Sequence, residues 1–199
     1  IRSDDNSLVN EIILNRIVKE IINLNEQGKE ILLVSSGALA LGKKSLNFKK
    51  NNLKVSEKQA ASSVGQVLLI NAWKKAFLKY KKQCGQILLT HLDAEIRSSA
   101  INARNTIESL LKLNSIPIIN ENDSVATQEL RYGDNDQLAA RVAQITSSNL
   151  LIILSRSLSL TCGSITICEI SSSVPKIGNS LLGIFSKKIR TSSGVTSMS

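Results

Sequence analysis

Three short polar segments carry side chains able to recognise a small charged ligand. They are Ser35-Ser36-Gly37, Asn120-Glu121-Asn122-Asp123-Ser124 and Gly133-Asp134-Asn135-Asp136. Amide and carboxylate groups can bind the ammonium and carboxylate of an amino acid, and carboxylates also hold metal ions or orient lysines around a phosphate. Asn, Asp and Gly are ordinary turn formers as well. Two acidic, amide-rich clusters about ten residues apart nevertheless favour a ligand site over two unrelated turns.

Several other chemistries are disfavoured by the same reading. The sequence contains neither GxxxxGK[ST] nor GxGxxG, the two common phosphate-binding loops. Its single histidine, His91, has no obvious nucleophile beside it, so a Ser-His-Asp hydrolase is a weak hypothesis. Cys84, Cys162 and Cys168 lack zinc-ligand spacing, and three widely spaced cysteines indicate a reducing compartment rather than a disulfide framework.

The segments that must position these loops alternate between two patterns. Short apolar runs bounded by turn formers predict strands buried on both faces, and apolar residues three and four apart predict helices. The predicted strands cover 31–34, 86–90, 116–119 and 150–154. The predicted helices cover 8–24, 57–78, 100–113 and 138–145, where 57–78 is either one long helix or a pair of helices. Residues 43–54, rich in Lys and Asn, predict an exposed loop. This alternation is typical of an α/β domain with a mainly parallel sheet, where ligands gather at the carboxyl ends of the strands.

Composition bounds the class of protein. The chain has 199 residues, 42% of them hydrophobic, which is enough for a core and argues against disorder. No apolar run reaches the roughly 18 residues that span a bilayer, so no membrane association is expected, and we predict a cytoplasmic protein. The net charge of +9 comes from dispersed lysines with few aromatic residues among them, so nucleic acid is not the expected partner.

The chain changes character near residue 155. Residues 155–199 hold 13 Ser and 4 Thr but a single acid, Glu169, and their periodicity is weak. We therefore predict one domain over 1–154 and a divergent Ser/Thr-rich tail over 155–199, either poorly ordered or a β-rich addition.

An ordered set of strings resembles the glutamate 5-kinase family of the amino acid kinase superfamily, over about residues 10–154. The strings are Leu33-Val34-Ser35-Ser36-Gly37-Ala38, Lys58-Gln59-Ala60-Ala61, Val64-Gly65-Gln66, Gln86-Ile87-Leu88-Leu89-Thr90, Asn102-Ala103-Arg104-Asn105-Thr106, Pro117-Ile118-Ile119-Asn120-Glu121-Asn122-Asp123 and Gly133-Asp134-Asn135-Asp136. Each string alone is weak evidence, but their order and spacing together are highly specific.

The resemblance implies a fold, a reaction and a set of site residues. The fold would be a three-layer αβα sandwich with a mainly parallel sheet, here incomplete. The reaction would phosphorylate the γ-carboxylate of L-glutamate with ATP and Mg²⁺, giving L-glutamyl 5-phosphate for proline synthesis in a homo-oligomer. Ser36, Gly37, Asp123 and Asn135 would bind glutamate, and Asp136 would organise the catalytic lysines.

The sequence departs from the family in its nucleotide-binding parts. The family begins with a strand that ends in Lys-x-Gly, and this chain starts after that point; a similar string surrounds Lys176 instead. Chance, a sequence artefact and circular permutation are the three explanations. Arg156 stands where the family has Asp, and Ser193-Gly194-Val195 with Met198-Ser199 resembles a shortened ATP loop. We therefore expect this chain alone to be a poor or inactive kinase. The alternatives are a glutamate-binding remnant without turnover and another relative, such as an aspartate or uridylate kinase.

Overall fold

The computed structural model describes residues 9–49, 52–125 and 134–155, together with two later strands. The helices are α1 (Glu11–Glu26), α2 (Ala38–Ser45), α3 (Val55–Leu78), α4 (His91–Glu95), α5 (Arg97–Lys112) and α6 (Asp134–Thr146). The strands are β1 (Lys29–Ser35), β2 (Cys84–Leu89), β3 (Ile116–Glu121), β4 (Leu150–Ser155), β5 (Ser164–Glu169) and β6 (Leu182–Lys188). None of the helices in the described ranges is both long and apolar enough to cross a membrane.

One six-stranded sheet, in the order β2-β3-β1-β6-β4-β5, organises the chain. β1 and β2 both pair with β3 in parallel, with Leu33 opposite Ile118 and Val34 opposite Ile119. β6 lies between β1 and β4 and is antiparallel to both, so β4 points in the same direction as β1. β5 is antiparallel to β4 and forms one border of the sheet. The carboxyl ends of β1, β2, β3 and β4 therefore share one edge.

Both faces of the sheet are covered, as the alternation of side chains along β1 shows. Ile31 and Leu33 belong to a core shared with α1, α2 and α3. Leu32 and Val34 point to the opposite face and belong to a core shared with α4, α5 and α6. The prediction of a three-layer α/β sandwich is confirmed, and full burial on both faces explains the unbroken apolar run in the sequence.

The first helix shows how local signals fix an element. Asn10 caps α1, because its side-chain oxygen accepts a hydrogen bond from the Ile13 amide at 3.1 Å. The buried stripe of Leu14, Val18 and Ile21 faces the sheet. Gly28, with φ +77°, takes the left-handed conformation that ends the helix and turns the chain into β1.

Two sequence-based boundaries were wrong, and one helix was missed. Part of the predicted loop over 43–54 is helical, because α2 extends from Ala38 to Ser45 and buries Leu41 and Gly42 against α3. The last predicted helix begins at Asp134 rather than at residue 138. The short helix α4 was not predicted. β5 and β6 both lie beyond residue 155, and the division of the chain at 154 stays a prediction.

Candidate functional site

The end of β1 leads directly into the start of α2. Ser35 is fully buried, and Ser36 and Gly37 are half-buried. Gly37 is the N-cap of α2 with φ +112°, a left-handed conformation that side-chain-bearing residues rarely adopt. Gly37 has no side chain with which to cap the helix, so the N-cap residue does not satisfy the first backbone amides of α2, which are hydrogen-bond donors at the sheet edge. Such an end favours an anionic ligand.

The end of β3 supplies a second polar loop. Asn120 and Glu121 are buried although they are polar, with 2% and 7% of their surface exposed. The Asn122 amide donates to the Leu89 carbonyl at 3.0 Å, which ties this loop to the end of β2. Asp123 follows in a turn closed by the hydrogen bond from the Val125 amide to the Asn122 carbonyl at 3.2 Å. The backbone therefore presents Asp123 just past the edge of the sheet.

The first turn of α6 supplies the third group. Three residues separate α6 from β4, and β4 points in the same direction as β1, so the amino end of α6 returns to the carboxyl edge of the sheet. Asn135 is half-buried and Asp136 is 7% exposed. A carboxylate in the first turn of a helix interacts favourably with its dipole.

Two amide oxygens at this edge are buried without a hydrogen-bond donor. Among the described residues, neither Asn120 Oδ1 nor Asn135 Oδ1 has a partner. A buried acceptor without a donor costs about 1–3 kcal/mol. A ligand that brings an ammonium group would supply donors to such oxygens.

The end of β2 completes the edge. Thr90 caps α4 and forms a reciprocal pair with Asp93, whose carboxylate accepts from the Thr90 hydroxyl at 2.6 Å and from its amide at 2.9 Å. These bonds hold the pKa of Asp93 below its usual range, against a smaller opposing effect of burial. His91 Nε2 lies 4.0 Å from Glu121 Oε1, beyond hydrogen-bond distance.

The structure places all five predicted site residues on elements that meet at one edge. Ser36 and Gly37 join β1 to α2, Asp123 follows β3, and Asn135 and Asp136 begin α6. Their roles stay predictions. Gly133, the Asp134 side chain, Lys176 with its Lys-x-Gly-like string, and the segment around Gly194 lie outside the described residues.

Sequence analysis missed two polar contacts at this edge. Glu121 was read as one member of a loop, but it is the last residue of β3 and lies beside His91. Gln66, in the middle of α3, accepts a hydrogen bond from Asn120 Nδ2 at 2.6 Å. The local pattern of apolar residues predicts neither the Glu121–His91 nor the Gln66–Asn120 contact, because each contact joins segments that are far apart in the chain.

The described carboxylates of the edge are not grouped around a common point. In the ranges that the structure describes, no three His, Cys, Asp or Glu side chains are grouped so as to hold a metal ion. The described side chains therefore do not fit a protein-only magnesium site, which needs several oxygen ligands around one ion.

Comparison with known proteins shows the family. Residues 3–157 match the model of the amino acid kinase family, and this chain belongs to that family. It is 48% identical over 152 residues to a glutamate 5-kinase of Pelagibacter ubique, covering 76% of this chain and 41% of that protein. It is 51% identical over 142 residues to the glutamate 5-kinase of Agrobacterium fabrum and 52% identical over 142 residues to that of Allorhizobium ampelinum.

The alignments cover a larger share of this chain than of the relatives. Each of the last two alignments covers 71% of this chain but 36% of the relative. The chain thus spans about two-fifths of the length of the curated relatives that it matches.

Proposed function

We propose that this chain carries the glutamate-binding part of a glutamate 5-kinase. The observation that supports the proposal most strongly is the match to residues 3–157 of the chain, which contain all five predicted site residues. Relatives named glutamate 5-kinase are 48–52% identical to it. The substrate is therefore L-glutamate, and the reaction is ATP-dependent phosphorylation of its γ-carboxylate.

The polar edge of the sheet suits a zwitterionic acid. The Asp123 carboxylate and the oxygens of Asn120 and Asn135 accept hydrogen bonds from the α-ammonium group. The hydroxyl of Ser36 and the backbone amides at the start of α2 donate to a carboxylate. Pairing a buried acceptor with a charged donor forms a stronger hydrogen bond than one between two neutral groups.

Phosphoryl transfer then needs positioning more than proton transfer. A carboxylate is already ionised at neutral pH, so its oxygen attacks the γ-phosphorus of ATP without a general base. A new oxygen–phosphorus bond forms to glutamate, the bond from the γ-phosphorus to the leaving ADP oxygen breaks, and glutamyl 5-phosphate and ADP result. Asp136 orients the lysines that screen the negative charges gathered around the phosphorus.

The remaining features of the proposal concern the whole protein. The phosphoryl donor is ATP with Mg²⁺ on its phosphates, as phosphoryl transfer generally requires. The product enters proline synthesis, the protein lies in the cytoplasm, and the active form is a homo-oligomer. Light scattering of the purified chain measures the last of these.

A transfer assay tests the proposal. Acyl phosphates formed from L-glutamate or L-aspartate are trapped with hydroxylamine as hydroxamates in the presence of MgATP. Transfer to UMP gives UDP, which does not react with hydroxylamine, so it is followed by nucleotide chromatography of the same mixture. We expect product with L-glutamate alone, at a rate below that of an ordinary kinase, and loss of that product in Asp136→Asn. Transfer to aspartate or UMP in preference to glutamate would assign a different member of the family.

The second candidate is a glutamate-binding chain without turnover, since the buried oxygens of Asn120 and Asn135, which lack a donor among the described residues, suit the ammonium group of glutamate and require no nucleotide. It predicts heat of binding for L-glutamate in calorimetry together with no hydroxamate at any ATP concentration. Ser36→Ala should weaken that binding under either candidate, by about tenfold for one lost hydrogen bond to a charged group.

A further inference from the structure

One face of α3 is hydrogen-bonded to the ends of both central strands. Near its carboxyl end, Trp73 Nε1 donates to Ser35 Oγ at 3.0 Å. Two helical turns earlier, Gln66 Oε1 accepts from Asn120 Nδ2 at 2.6 Å. Residues seven apart lie on the same side of an α-helix, so both bonds leave α3 towards the sheet.

Three of the four residues joined by these bonds are buried, and the fourth, Gln66, is half-buried. Trp73 and Ser35 are fully buried and Asn120 is 2% exposed. The indole has a single N–H donor, so loss of the Ser35 hydroxyl would strand that donor in the core. The Trp73 ring is held in place by the ring of Phe77, which stacks on it with centroids 6.0 Å apart.

The residues of the sheet that α3 contacts, Ser35 and Asn120, lie close to the predicted substrate-binding residues along the chain. Ser35 precedes Ser36 and Gly37, and Asn120 comes three residues before Asp123. β1 and β3 are neighbouring parallel strands, so their relative position along the strand direction sets how the two loops face each other. The hydrogen bonds of α3 fix both strand ends to one rigid helix.

We propose that Gln66 and Trp73 are positioning residues, which hold the loops of Ser36 and Asp123 at the spacing that binds the substrate. The identity of the substrate rests on the proposed function, but the positioning role does not. Gln66 has a further effect on Asn120. Because Gln66 accepts from the amide nitrogen, the amide cannot rotate without losing this bond, and Asn120 Oδ1 keeps its orientation.

The test combines hydrogen–deuterium exchange of the free chain with calorimetric titration of L-glutamate. The variants are Trp73→Phe, which keeps an aromatic ring without the donor, Ser35→Ala, and Gln66→Met, which removes the acceptor. Gln66→Glu retains an acceptor for Asn120 and serves as the rescue variant. Val67→Ala is the control, because Val67 lies beside Gln66 on α3 but is 58% exposed.

In Trp73→Phe and Ser35→Ala, the amides of residues 35–38 should exchange faster than in the wild type. In Gln66→Met, the amides of residues 120–123 should exchange faster. Exchange in the rest of the sheet should be unchanged in all three variants. The affinity for glutamate should fall about five- to tenfold in each, which corresponds to one hydrogen bond. Trp73→Phe combined with Ser35→Ala should lose no more than either alone, because both remove the same bond. Gln66→Glu and Val67→Ala should resemble the wild type.

Three outcomes would overturn the positioning role: unchanged exchange at both loops, faster exchange spread evenly over the sheet, or additive losses in the double variant. Should Trp73→Phe fail to fold, Ser35→Ala and the two Gln66 variants decide the same question. If the wild-type chain does not bind glutamate although exchange at the loops changes as expected, the proposed substrate is wrong and the positioning role stands.

Discussion

Replacement of Gly65 by alanine should separate the two helices that position the first substrate loop. A Cβ atom built at Gly65 would lie 1.7 Å from the Ala38 carbonyl oxygen and 2.6 Å from the Gly42 nitrogen. Carbon–oxygen contacts are normally about 3.3–3.6 Å, so the backbones must part by about 1.5 Å. The opposing atoms are backbone and cannot turn aside.

The cost follows from two opposing effects. Alanine gains about 1 kcal/mol over glycine in a helix interior. Overpacking a tight contact costs about 1–3 kcal/mol, and more where backbone must move. We expect a net loss of about 2 kcal/mol of unfolding free energy, or a fall in Tm of about 4–8 °C for a chain of this length. Since α2 begins at Gly37, glutamate affinity should fall as well.

Urea unfolding followed by circular dichroism measures the loss, and Gly85→Ala is the matched control. A Cβ at Gly85 would meet the side-chain carbons of Leu110 at 2.7 and 2.8 Å, which can shift by rotation. We therefore expect a loss below about 1 kcal/mol for the control. Equal stability of Gly65→Ala and wild type would refute the argument that the α2–α3 contact requires glycine.

Three further predictions concern single side chains. Gly37→Ala should cost about 1–2 kcal/mol in urea unfolding, since a Cβ there meets no atom within 4 Å and only the positive φ opposes it; unchanged stability would contradict this. Hydrogen bonds from Thr90 lower the pKa of Asp93, so their stabilisation is complete above the usual aspartate pKa of 3.8 and is lost as the pH falls through the lower folded value. The wild type should therefore have a higher Tm than Asp93→Asn at pH 6, and the difference should vanish in strong acid. A Tm difference that grows in acid would show that the Thr90 hydrogen bonds do not favour the ionised carboxylate. Burial raises the pKa of the Cys84 thiol, and Lys74 lowers it by a smaller amount. Iodoacetamide at pH 8 should therefore alkylate Cys84 more slowly in the native chain than in urea, which peptide mass spectrometry measures. Equal rates in the two conditions would contradict the burial of this thiol.

Sequence patterns predict this fold where a segment carries its own signal. The run that forms β1 is apolar at every position because both of its faces are covered, and the apolar stripe of α1 faces one side. The three loops at the sheet edge could be placed for the same reason, since each follows or precedes such an element. The resemblance to the amino acid kinases then assigned roles to their side chains.

Features made by distant segments could not be predicted in this way. The carboxyl end of α2 was taken for a loop because residues 43–54 are rich in Lys and Asn, whereas the helix is stabilised by its close contact with Gly65 of α3 and by the burial of Ala38 and Leu41. β6 lies between β1 and β4 although its own sequence gives no hint of a central position. The hydrogen bond of Trp73 with Ser35 joins residues 38 positions apart.

The most direct test of the central claim is nuclear magnetic resonance mapping of L-glutamate onto the ¹⁵N-labelled chain. The account predicts amide shifts on titration that are concentrated at Ser36, Gly37, Asp123, Asn135 and Asp136, with D-glutamate causing much smaller changes. Shifts that avoid these amides, or the same weak response to both enantiomers, would contradict a glutamate site at the carboxyl edge of the sheet.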